Sequence, residues 1–171
     1  DMQERVQQVT GRRIDFVGEG WNFGEVANGS RFVQASQLSL NGTGIGTFND
    51  RLRDAIRGGG ASDAVETLVK MPGFVSGQEK SAHVAAQIRA GLAGSLRTYR
   101  MVTADGNVKA LQDLPYGDQP TGYASEPSEV VNYAENHDNL TLFDSLAYKL
   151  PHDTPSSERA RVQHLASALT A

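Results

Sequence analysis

Apolar positions along the chain switch repeatedly between helical and extended spacing. Met2, Val6 and Val9 recur at helical intervals until Gly11 breaks the pattern, which predicts a first helix. Arg13 to Gly18 is rich in β-branched and aromatic residues and predicts a short strand. Residues 20–44 hold many Gly, Asn and Ser and read as a long loop with at most short elements. Ile45 to Phe48 is a second strand. Asn49 or Asp50 can cap the helix after it, through Leu52, Ala55 and Ile56 to the stop at Gly58-Gly59-Gly60.

The second half continues the alternation. Ser62 is placed to cap a short helix reaching Lys70. A longer helix is predicted from about Glu79 to Arg97, with Val84, Ile88, Leu92 and Leu96 on one face. Ala104-Asp105-Gly106-Asn107 marks a turn between two extended runs, so residues 98–110 read as a hairpin. A Pro/Gly-rich loop spans 115–127, and Val130 to Tyr133 is a third strand. Helices then run from Leu140 to about Lys149 and onward from Thr154-Pro155, the last with Val162, Leu165, Ala166 and Leu169 facing inward. Strands alternating with helices imply βα units and a parallel sheet.

Composition narrows the classes. The 171 residues suffice for one domain, and their apolar content is that of a packed protein. Net charge is −4 with no basic run, so nucleic-acid binding has no electrostatic support. No apolar stretch is long enough to span a membrane. Cysteine is absent, which excludes disulfides and thiolate-held zinc and leaves the compartment open. The chain starts without Met and ends within an apolar helical pattern, so it reads as a piece of a longer protein.

Two strand ends carry acids in unusual contexts, Gly18-Glu19-Gly20-Trp21 and Glu135-Asn136-His137-Asp138-Asn139. In a parallel α/β barrel, residues just past the strands' C-terminal ends line the active face. Two carboxylates on different strand ends suit glycoside cleavage, in which one acid protonates the leaving oxygen. An adjacent Trp offers a flat apolar face to a sugar. The bland readings are that Glu19 is a turn residue and Asp138 a helix N-cap. The glycines at 18, 20 and 24 have the wrong spacing for a dinucleotide fingerprint.

Together these segments resemble a known family. Residues 16–27 (Phe-Val-Gly-Glu-Gly-Trp-Asn-Phe-Gly-Glu-Val-Ala), 42–59 and 131–144 look like pullulanases and limit dextrinases of the α-amylase superfamily. The resemblance covers nearly the whole chain. It implies part of a TIM (β/α)8 barrel, from about the fourth helix through the seventh βα unit, with the 98–110 hairpin as an excursion. It implies hydrolysis of α-1,6-glucosidic branch linkages in pullulan, amylopectin or limit dextrin, with retention. By matching positions, Glu19 is the acid/base, Asp138 a carboxylate favouring the transition state, His137 a hydroxyl-binding side chain and Trp21 an aromatic at the cleaved sugar. Asn139 is added as a subsite candidate by adjacency. Asn22 departs from the Asp the family often has.

The family's nucleophilic Asp has no counterpart here, so the chain alone is expected to be inactive and to self-associate through open sheet edges. No cofactor is implied, and this segment gives no support for a structural calcium. The resemblance favours an extracellular or periplasmic setting, with cytoplasm or plastid as alternatives. The rival functions are an isoamylase or α-1,4-acting relative and a non-catalytic glucan-binding barrel.

Smaller signals receive bland readings. Arg51, Arg53, Asp54 and Arg57 form a charge run, read as a solvated or salt-bridged helix face. His83, His152 and His164 are read as surface or structural. The Asn-x-Ser/Thr triplets at Asn28, Asn41 and Asn139 arise easily by chance.

Overall fold

The computed structural model describes residues 2–77 and 81–171. The helices are α1 (Met2–Thr10), α2 (Gln37–Leu40), α3 (Asp50–Arg57), α4 (Val65–Leu68), α5 (Ala82–Leu92), α6 (Leu142–Lys149) and α7 (Ser156–Ala168). The strands are β1 (Val17–Gly18), β2 (Gly46–Phe48), β3 (Arg100–Val102), β4 (Val108–Ala110), β5 (Pro115–Tyr116), β6 (Gln119–Pro120) and β7 (Val130–Val131). Strands β1, β2 and β7 form a parallel sheet in that spatial order, with Val17 opposite Gly46 and Thr47 opposite Val130. The parallel arrangement read from the alternation is therefore present. Strands β3 and β4 form the expected hairpin. The loop expected at 115–127 also contains a tight β5–β6 hairpin, turned through Gly117 at φ +57°.

Several boundaries differ from expectation. Helix α4 begins after Ala64 with no side-chain cap, so Ser62 does not cap it. The expected start of α5 at Glu79 lies outside the described residues. Ser81 caps α5, its side chain accepting from the Val84 amide. The helix stops at Leu92, and the chain then turns through Gly94 and Ser95, both at positive φ. Leu92 is exposed and Leu96 lies beyond the helix, so the inward face is Ala86, Gln87, Ile88, Ala90 and Gly91. Pro155 occupies the N-cap of α7 without a side-chain bond, and Leu165 points outward while Ala166 is fully buried.

The main core joins Leu52 and Ile56 of α3 to Ile88 of α5, Leu142 and Leu146 of α6, and Ala166 of α7. A second cluster packs Ala86 and Ala90 of α5 on Met101 and Leu111 beside the β3–β4 hairpin. Helix α3 is enclosed on nearly every side, although five of its eight residues are charged. Arg51, Arg53 and Arg57 are 1%, 7% and 5% exposed. The solvated half of that reading is thus wrong, while the salt-bridged half holds for Arg51 with Asp50 and for Arg53 with Asp54. Arginines are buried only when partnered, and apart from Asp50 and Asp54 these partners come from distant segments.

The Arg51 guanidinium donates to Pro120 O at 3.0 Å, to Gln119 Oε1 at 3.0 Å, to Asp50 and to Gln37. It also stacks on Tyr116 and Tyr123. Arg53 pairs with Asp54 at 2.7 Å and donates to Tyr133 Oη at 2.6 Å. Burial raises the Asp54 pKa against the opposing pull of Arg53. Arg57 donates to Leu140 O at 2.8 Å and Ala134 O at 3.4 Å. Lys149 of α6 donates to the carbonyls of Arg57 and Gly58, closing the C-terminus of α3. Burial and the neighbouring Arg57 lower its pKa to about 8.

Glycines permit two close approaches to α3. At Gly58, φ +81°, a Cβ would lie 2.3 Å from Met71 O. At Gly91 a Cβ would lie 2.7 Å from Leu52 Cδ1, and Leu52 is fully buried. Gly91→Ala sets two effects against each other. Relief of helical glycine entropy gains about 0.5–1 kcal/mol, and overpacking costs about 1–3 kcal/mol. The clash is with a side chain that has no room to move, so urea denaturation should show a net loss of stability. A net gain would mean that α3 and α5 are less tightly packed than described.

Candidate active site

Parallel strands deliver their C-terminal ends to one side of the sheet, and the two acidic segments follow two of those ends. Glu19 comes directly after β1. Gly20 then turns the chain at φ +73°, a position where any Cβ would strike Thr47 at 2.6 Å. The returning loop is pinned by the Gln37 amide donating to Gly20 O at 2.8 Å. Gln37 in turn donates to Phe48 O at 2.7 Å, so Glu19 is fixed relative to the end of β2.

The second segment leaves β7 through Tyr133 and Ala134, both buried. Glu135 then accepts from the Leu142 amide at 2.6 Å, holding the start of α6. Asn136 Oδ1 accepts from the Asp138 amide at 3.1 Å, a local turn that presents His137 and Asp138 outward. Arg57 bonds Ala134 O and Leu140 O, the carbonyls on either side of this segment. Thr141, not Asp138, caps α6, which removes the bland reading of Asp138.

These two loops bring Glu19, His137 and Asp138 together. His137 Nε2 lies 3.5 Å from Glu19 Oε1 and 3.6 Å from Asp138 Oδ2. The three ligand atoms all lie within 4.8 Å of one another. All three side chains are roughly half exposed or more, at 45%, 68% and 53% for Glu19, His137 and Asp138. An imidazole between two carboxylates offers donors and acceptors to sugar hydroxyls. Among the described residues this is also the His and carboxylate group close enough to share a cation.

Trp21, two residues past Glu19, is half-buried, its ring 6.4 Å from Phe48. Phe48 lies 5.1 Å from Tyr133. An aromatic thus stands at or just past the end of each parallel strand, and Arg53 anchors the last of them. Phe48 and Tyr133 were missed in the sequence, although aromatics recurring at three strand ends were a readable signal. Asn139 is separate from the trio's contacts. It sits at φ +64° and donates to Ala61 O at 3.2 Å, tying its loop to the glycine stretch after α3. His83, His152 and His164 are exposed, as expected.

No family model matches the chain. Individual relatives do. The pullulanase of Klebsiella aerogenes is 41% identical over 167 residues, covering 91% of this chain and 15% of that protein. A chloroplastic pullulanase of Arabidopsis thaliana is 40% identical over 183 residues, covering 99% of this chain and 19% of that protein. The crystal structure of Klebsiella pneumoniae pullulanase complexed with maltotriose superposes with a TM-score of 0.88 at 39% identity, covering 97% of this chain and 16% of that one. The resemblance to pullulanases expected from the motifs is therefore borne out. The chain spans less than a fifth of the length of these relatives.

Arg57 is the residue through which the core reaches the His137-Asp138 loop. Arg57→Lys keeps the charge, but a single ammonium cannot span two separated carbonyls as a planar guanidinium does. Leaving one buried carbonyl unbonded costs about 1–3 kcal/mol. Denaturant unfolding should show a loss of that size; unchanged stability would remove Arg57 as the support of the loop.

Proposed function

We propose that this chain is a segment of the catalytic (β/α)8 barrel of a retaining α-1,6-glucan debranching hydrolase. Strands β1, β2 and β7 are then the fifth, sixth and seventh barrel strands. The observation that carries the reading is the meeting of Glu19, His137 and Asp138 at the C-terminal ends of β1 and β7. The similarity to pullulanases supports it, and so does the relative whose crystal structure holds maltotriose.

In this reading the cleaved sugar lies against Trp21. Glu19 donates a proton to the glycosidic oxygen as an aspartate from outside this chain attacks the anomeric carbon. Glu19, now a carboxylate, takes a proton from the water that releases the sugar. Asp138 and His137 hold ring hydroxyls and favour the charged, flattened transition state. Glu19 is 45% exposed here, and the acid role requires desolvation by parts of the barrel beyond this chain.

The full-length protein should release reducing ends from pullulan. Glu19→Gln should lower kcat by about 10²–10⁴-fold. The same variant should retain its first step on an aryl α-glucoside whose leaving phenoxide needs no protonation. Equal loss on both substrates would rule out the acid role, and unimpaired pullulan cleavage would remove Glu19 from the chemistry.

The 171-residue chain by itself should show no pullulan cleavage. Its β1 edge is open, with Ile14 45% and Val17 63% exposed, and such edges pair with other chains. Light scattering should therefore give a mass above 18.4 kDa that rises with concentration. A constant monomer mass, or hydrolysis by this chain alone, would contradict the proposed division of the barrel.

A further inference from the structure

We propose that a cavity apart from the catalytic trio, lined largely by the loop that follows Trp21, is a glucan subsite that grips sugar hydroxyls of the chain being cleaved; this rests on the debranching reading above. The cavity holds about 440 Å³, within the roughly 300–1,000 Å³ of small-molecule sites. Its polar lining comes from Asn22, Asn28, Gln34, Ser36, Asp118 and Gln119.

The chemistry of that lining selects the ligand class. Amides and hydroxyls each donate and accept, as sugar hydroxyls do. Among the described residues no Lys, Arg or His lines the cavity, and Asp118 does, so the lining favours a neutral ligand over an anion. Val33 and Leu38 add apolar surface for sugar C–H groups and are 83% and 43% exposed.

Gln34 supplies an independent sign. Its Oε1 is buried and accepts no hydrogen bond. Its Nε2 reaches only Phe23 O, at 3.4 Å. A buried unbonded acceptor costs free energy, and the terminal amide torsion is soft. The side chain is therefore poised to turn towards a ligand hydroxyl.

Position connects the cavity to the catalytic end. Asn22 both follows Trp21 and lines the cavity. Asn22 Nδ2 donates to Asn28 Oδ1 at 2.8 Å, and Asn28 N donates to Asn22 Oδ1 at 2.8 Å. This clasp fixes the path from Trp21 to the cavity. The clasp needs an amide at position 22, since a carboxylate could not donate to Asn28 Oδ1. Across the cavity, Gln119 is held by the buried Arg51. Asn22, three residues past Glu19, is where the Glu19 segment runs into this lining.

The test uses two variants of the full-length protein, Gln34→Met to remove the amide and Val33→Trp at an exposed position to fill the cavity. KM is measured on pullulan and on a branched oligosaccharide with two glucosyl units on each side of the α-1,6 bond. Each variant should raise KM for pullulan about five- to tenfold, the equivalent of one or two hydrogen bonds lost, with kcat and the short-substrate KM unchanged. Affinity electrophoresis in pullulan gels, in the Glu19→Gln background, should show the same weakening without relying on catalysis. Unchanged pullulan affinity in both variants, or equal losses on the two substrates, would overturn the proposal. Absence of any branched-glucan cleavage by the unmodified protein would instead overturn the debranching reading, and the gel measurement would still decide the subsite.

Discussion

The organisation of this molecule depends on burying three guanidinium groups on one short helix. Taking an arginine out of water is costly unless its donors are satisfied. Arg51, Arg53 and Arg57 therefore demand acceptors; Asp50 and Asp54 on the helix supply two, and the rest are Gln37, Gln119, Pro120, Tyr133, Ala134 and Leu140. The latter residues belong to α2, the β5–β6 hairpin, the end of β7 and the loop before α6. Helix α3 thus acts as a hub that fixes every segment bearing a candidate functional side chain. Leu52 and Ile56 on the same helix anchor the hub in the apolar core.

This arrangement explains how loops carry a defined site. Glu19 and Asp138 lie on exposed backbone, and neither has its own packing to hold it. Glu19 is fixed through Gly20 and Gln37. Asp138 is fixed through Asn136, Glu135 and the carbonyls that Arg57 holds. The exposed side chains can then meet a substrate while the backbone beneath them stays ordered, as a preorganised site requires. The same supports reach the cavity apart from the trio, because Gln119 is bonded to Arg51 and Gln34 lies in the loop that Gln37 closes.

What was legible in the sequence follows from range. Local signals worked where one residue decides the outcome: Asn49 caps α3, Gly58 ends it, and the Asp105-Gly106 turn makes the β3–β4 hairpin. The parallel sheet followed from alternation alone. Glu19, His137 and Asp138 stand out as candidates because two strand ends carry acids and the surrounding motifs resemble a known family, and the fold brings the three side chains together. Misreadings came where distant contacts override local pattern. The arginine run resembles a solvated face because Tyr116, Tyr123 and Tyr133 are far away in sequence. Leu92 fits a helical stripe, yet Gly91 and Leu52 set the angle at which α5 is buried. Thr141 rather than Asp138 caps α6 because the helix starts at Leu142 and not at Leu140, and the Thr141 hydroxyl accepts from the Asp144 amide.

The central claim is that Glu19 faces the oxygen of a cleavable glucan linkage while His137 and Asp138 hold the adjoining sugar. Its most direct test is the crystal structure of the full-length Glu19→Gln variant with a bound α-1,6-branched oligosaccharide. The account predicts the glycosidic oxygen about 2.6–3.2 Å from the side chain at position 19, the reach of a proton donor. It also predicts hydroxyls of one ring bonded to His137 and Asp138. A branched oligosaccharide bound with its α-1,6 oxygen away from position 19, or with no contact to His137 and Asp138, would contradict it.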